Sequence, residues 1–127
     1  NHLFDTLGKQ LVGCHLIRGV HEILQVDCNI SQVEVIDIIS RYEGKIIFTK
    51  VDTITGTYRR QSSDFKDISL QKNRMIDLIY QYMEEHEFDC DFYFNIGTVF
   101  LGKGEPKIDI IEEYFPKELS KKIEKTY

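Results

Sequence analysis

Two hydrophobic periods alternate along the chain. After Asp89, Cys90, Phe92, Phe94 and Ile96 alternate with Asp91, Tyr93 and Asn95, which predicts a half-buried strand closed by Gly102 and Gly104. Before it, Met75, Ile76, Ile79, Tyr82 and Met83 form one apolar stripe of a long helix, entered through a polar loop from Gln61 to Asp67. Lys45 to Thr55 is β-branched and aromatic, with Ile46 and Phe48 on one face and Ile47, Thr49 and Val51 on the other. Thr55-Gly56 then predicts a hairpin turn into a partner strand, Thr57 to Arg60.

The flanks read less regularly. Ser31 with Glu34 three residues later is a capping-box pattern. Val35, Ile36, Ile39 and Tyr42 follow at helical spacing and Gly44 suits a left-handed stop, so a helix is expected there. Lys9 to Ile17 is expected as a strand, turning at Arg18-Gly19 into a second strand, Val20 to Val26. Near the end, Ile110, Ile111, Tyr114 and Phe115 suggest one helix, while Leu119 and Ile123 suggest another with Pro116 in its first turn.

From Val20 the expected order is strand, helix, strand, strand, helix, strand. That is the split β-α-β pattern of an α+β, ferredoxin-like sandwich, an antiparallel sheet with two helices on one face. The core would span about residues 20–102, with an extra N-terminal strand and a helical C-terminal extension over residues 107–127. That extension would cover a sheet edge or pair with a second copy in a homodimer. The only two prolines, Pro106 and Pro116, lie late in the chain, and no linker interrupts it, so residues 1–127 read as a single domain.

At 127 residues, a single α+β domain fits the length. The balance of 16 basic against 21 acidic side chains gives a net charge of −5, which argues against nucleic acid as a partner. Cys14, Cys28 and Cys90 form no close pair, so reduced thiols and a cytoplasmic location are expected. No apolar run reaches the roughly 20 residues that span a bilayer, so no membrane partner is expected. Leu11-Val12-Gly13-Cys14 has the outline of a lipidation box, but Asp5, Lys9 and Gln10 stand where an apolar signal segment belongs.

Candidate chemistry is sparse. His15 and His21 flank the Arg18-Gly19 turn beside Cys14, yet paired ligands in two clusters are missing, so no metal is expected. His86 and Cys90 are no better placed. Tyr58, Arg59 and Arg60 form the one locally basic stretch, a candidate site for an anionic small molecule. Glu84, Glu85, Glu87 and Asp89 crowd the end of the long helix, against its macrodipole, and are a candidate interaction surface. Gly102-Lys103-Gly104 is a turn and not a phosphate loop. With no nucleophile elbow and no cofactor motif, the chain leans toward a non-catalytic protein.

One segment carries a likeness. Asp5-Thr6-Leu7-Gly8-Lys9-Gln10-Leu11-Val12 resembles the opening of prokaryotic S-adenosylmethionine decarboxylases, where a similar stretch leads into the first strand. The resemblance covers the first third of the chain. Those enzymes cleave themselves at Glu-Ser-His to make a pyruvoyl group. No Glu-Ser-His occurs here and Ser62-Ser63-Asp64 is no substitute, so the resemblance implies a non-processing relative with no catalytic residue carried over. The expected function is a small-molecule-binding or regulatory module, acting as a homo-oligomer. The alternatives are an acidic, inhibitor-like interaction protein contacting its target through Glu84 to Asp91, and a decarboxylase-related enzyme using Cys14, His15 or the Arg59 region.

Overall fold

The computed structural model describes residues 4–55 and 62–117, with side chains from residue 72 onward in the second stretch. The elements run α1 (Leu7–Arg18), β1 (Glu22–Asn29), β2 (Val35–Tyr42), β3 (Lys45–Thr55), α2 (Ser62–Glu85), β4 (Phe92–Leu101) and β5 (Lys107–Phe115). The five strands form one sheet in chain order, β1-β2-β3-β4-β5. Neighbours are antiparallel except β3 and β4, which are parallel and joined across α2. The α+β class is as expected. The sequential strand order differs from a ferredoxin-like sandwich, and the single β3-α2-β4 crossover is its only β-α-β unit among the described residues.

The helices lie on opposite faces, not together on one. Met75, Ile76, Ile79 and Met83 of α2 pack on Cys28, Ile36, Ile39, Ile46, Phe48, Phe92 and Phe94. Phe4, Val12 and Leu16 pack with Ile38 and Val99 on the other side. The strand faces expected for β3 and β4 are those observed, because alternation there places one parity under each helix. The α2 stripe is also as expected, though the helix begins at Ser62 inside the expected loop.

Three expectations are corrected. The stretch from Ser31 to Gly44 holds a strand, not a helix. Ser31 Oγ does accept the backbone N–H groups of Val33 and Glu34, at 3.2 and 3.1 Å, but these bonds brace a turn. Four β-branched residues among Val35 to Ile39, covered from both faces of the sheet, favour a central strand over a helix. Gly44 is left-handed (φ 76°), but it shares a hairpin turn with Glu43 (φ 49°) between the paired Tyr42 and Lys45.

The second correction concerns Lys9–Ile17, which is helical. Thr6 caps α1 by accepting the Lys9 N–H at 3.2 Å, so the segment resembling the decarboxylase opening forms a cap and a first turn. Gly8 lets this helix lie close to the sheet, and Gly13 makes room for Phe4. A side chain at Gly8 would collide with the Thr53 hydroxyl, and one at Gly13 with the Phe4 ring. Lys9 ties the first turn to the strands, bonding Asp27 at 2.7 Å and Asp5 at 3.0 Å, with Asp37 at 3.7 Å. Third, Lys107–Phe115 is a strand zipped to β4 along its length, where a helix was expected. The expected turn and strand at Thr55 to Arg60 fall largely outside the described residues, as does the helix around Leu119 and Ile123.

Candidate functional site

Helix α1 is half the length of α2, at 12 residues against 24, and leaves part of its sheet face uncovered. Past its C-terminal end a cleft of about 270 Å³ opens, lined by His15, Leu16 and Gly19 of the helix end, His21, Tyr42, Asn95, Ile110 and Glu112. Residues from four strands or their flanks therefore converge on one helix terminus.

The way α1 ends places His21. Val20 N–H bonds the Ile17 carbonyl and His21 N–H the Leu16 carbonyl, each at 3.0 Å. This is a Schellman stop, whose left-handed position usually belongs to glycine. Here it is Val20, at φ 69° and 82% exposed. A β-branched residue in that region is strained. Gly19, immediately before it, has φ −83° and does not use its freedom.

His21 leaves this turn half-buried. Its ring stacks on Tyr42 with centroids 4.5 Å apart and planes within 9°. Its Nδ1 is hydrogen-bonded to the buried Ser40 Oγ at 2.9 Å. Burial pushes the imidazole below its ordinary pKa, Glu112 pulls it back up, and His15 adds to the depression. The neutral ring is thus favoured. The Tyr42 phenol is held protonated by Glu43 first, with Glu112 also contributing.

The floor is polar where packing would normally be apolar. Asn95 is 2% exposed and Thr49 fully buried, and they face each other in register across β3 and β4. Among the described residues, neither the Asn95 carboxamide oxygen nor the Thr49 hydroxyl has a hydrogen-bond partner. Each such group costs roughly 1–3 kcal/mol.

The sequence candidates divide accordingly. His15 and His21 do meet at one site, brought there by a helix end and not by a hairpin. Cys14 is exposed on α1 and is not among the residues lining the cleft. Among the described residues no three His, Cys, Asp or Glu side chains are grouped to hold a metal ion. Tyr58, Arg59 and Arg60 lie outside the described residues. Glu84 and Glu85 end α2, exposed, and Glu87 (φ 55°) takes the left-handed place in a second Schellman stop, with Phe88 N–H bonding the Met83 carbonyl. Asp89 pairs with Lys117 at 3.3 Å. Asn95, Thr49, Ser40, Tyr42 and Glu112 were not candidate site residues in the sequence. An asparagine inside an alternating strand, a poor strand former opposite phenylalanines, was the one available signal.

Compared with known proteins, the chain matches no protein-family model and no curated protein. Among the described residues no helix is long and apolar enough to cross a membrane.

Proposed function

We propose that the protein is a non-catalytic, small-molecule-binding module whose ligand occupies the cleft at the end of α1. One observation carries this reading: Asn95, whose buried carboxamide oxygen has no hydrogen-bond partner among the described residues, lines an open cleft beside the equally unpartnered Thr49 hydroxyl. Buried polar groups are almost always satisfied, and an exception calls for a role. A volume below the roughly 300 Å³ at which drug-sized pockets begin suits a small metabolite. Three free cysteines support a reducing, cytoplasmic setting. A homodimer belongs to the same proposal, supported by the outer edges of β1 and β5, which pair with no other strand among the described residues. Kinship with the decarboxylases enters only as a non-processing relative, on the strength of Asp5 to Val12.

The test is Asn95→Leu, which keeps the size and removes the amide. The variant should gain about 1 kcal/mol in urea unfolding, because an unsatisfied group is lost. It should also lose the thermal shifts that a library of small metabolites induces in the native protein. Library hits that survive the substitution unchanged would move the binding site elsewhere. A library without hits would count against a binding module.

A further inference from the structure

We propose that the ligand of this cleft is a small cation, an amine or amidinium whose protonated nitrogen is held between Glu112 and the Asn95 carbonyl against the Tyr42 ring. This deepens the reading of the cleft as a binding site and rests on it. Among the described residues that line the cleft, Glu112 is the only acidic side chain, and none is a lysine or an arginine. A carboxylate or phosphate ligand would meet only that negative charge. The cleft also opens at the C-terminal end of α1, where the helix dipole is negative and favours cations. His21 is driven toward its neutral form by burial, so it does not oppose a bound cation with a full charge.

The floor completes the arrangement. Asn95 and Thr49 are neighbours on adjacent strands, and among the described residues the Asn95 carboxamide oxygen and the Thr49 hydroxyl have no hydrogen-bond partner. The terminal torsion of an asparagine is broad, so the carboxamide turns at little cost. Turned with its NH2 toward Thr49, it would donate to that hydroxyl and present its oxygen to the cleft. A donor on the ligand would then satisfy the oxygen, and one rotation would relieve both orphaned groups. Tyr42, with Glu43 and Glu112 acting on its phenol, offers an aromatic face in an acidic setting. Leu16 and Ile110 supply apolar wall for the carbon body of the ligand.

Three molecules of nearly one shape separate charge from fit: benzamidine, benzamide and benzoate. Each is titrated into the intact protein while backbone amide resonances are followed by NMR. Benzamidine should shift His21, Tyr42, Asn95 and Glu112, benzamide should do so more weakly, and benzoate should not. Glu112→Gln, at an exposed position, should weaken benzamidine by about tenfold, as loss of a charge-assisted bond does. Glu84→Gln with Glu85→Gln removes negative charge at the far end of α2 and should leave binding unchanged, which controls for a generally acidic surface.

Benzoate or benzamide binding these residues as well as benzamidine does would overturn the cation assignment and leave the cleft a binding site. An unchanged benzamidine affinity in Glu112→Gln would do the same. If none of the three shifts the cleft residues, the cation assignment fails. The cleft reading then stands or falls on whether metabolite responses depend on Asn95.

Discussion

The two faces of the sheet are built to different standards. Under α2 the contacts are apolar and aromatic: Phe48 meets Tyr82 and Phe92 edge-on, and Tyr80 meets Phe92 the same way, with centroids 4.9 to 5.7 Å apart. Under α1 the apolar cluster is smaller, and buried Asp37, Ser40, Thr49 and Asn95 interrupt it. Asp37 is answered by the Val51 N–H at 2.6 Å and Ser40 by His21, while the Thr49 hydroxyl and the Asn95 carboxamide oxygen have no partner among the described residues. One face secures the fold. The other holds polar groups at a cost in stability, which the proposed ligand site would explain.

The largest break in this comparison should come from Phe48→Ala. Phe48 is fully buried among rings of α2 and β4, and truncation leaves a cavity that a helix-covered sheet cannot close. A loss of about 3–5 kcal/mol is expected, read as a lower urea midpoint with an unchanged slope. Against the gain expected from Asn95→Leu, the sign of the effect reverses from one face to the other. A small loss from Phe48→Ala would mean the α2 face is not the stable one.

The same contrast explains what could be read in advance. On β3, β4 and α2 the residues repeat with the period of the element they form, and local preference agrees with tertiary placement. The strand from Val35 to Tyr42 is buried on both faces, so its apolar run has no clean alternation, and scattered isoleucines mimic helical spacing. Helix α1 misled in the opposite way. Its Gly8 and Gly13 look like poor helix residues until the close approach to Thr53 and Phe4 is seen. The cleft was half legible. His15 and His21 drew notice as an isolated pair, but Asn95 and Glu112 come from strands 74 and 91 residues beyond His21 (95 − 21 and 112 − 21), and only the sheet register brings them there. Asparagine and glutamate in those positions have no local signature.

A middle-sized effect is expected at the turn that delivers His21. Helices α1 and α2 end in the same hydrogen-bond pattern, but the left-handed residue is Val20 in one and Glu87 in the other. Valine suffers more there, since branching at Cβ crowds the carbonyl. Val20→Gly removes the strain, partly offset by the greater freedom of glycine in the unfolded chain. A net gain of about 1 kcal/mol is expected, measured by thermal or urea unfolding. Because Val20 is exposed and does not line the cleft, benzamidine should still bind. If Val20→Gly instead destabilises the protein, the valine side chain contributes packing beyond what its exposure indicates.

The smallest effect separates the faces by pH. His21 has its folded pKa depressed below the ordinary 6.5, chiefly by burial, so the unfolded chain takes up its proton first as pH falls. The unfolded state then binds more protons, and stability must decline from about pH 6.5 downward until the folded pKa is passed. The groups facing His21 set the size of that decline: Ser40 bonds its ring, Tyr42 stacks on it, His15 repels its charged form and Glu112 favours it. His21→Phe keeps the stacking and cannot titrate, so its stability should fall less between about pH 8 and about pH 5 than that of the native chain. Glu112→Gln should steepen the native slope, since the group that favours imidazolium is gone. Asp91, whose carboxyl is held below its ordinary 3.8 by Tyr114 and the Lys117 N–H, titrates below this window and leaves the difference clean. Equal slopes in the native and His21→Phe proteins would mean that His21 is as solvated as in the unfolded chain, and the face beneath α1 would lose its claim to a built polar site.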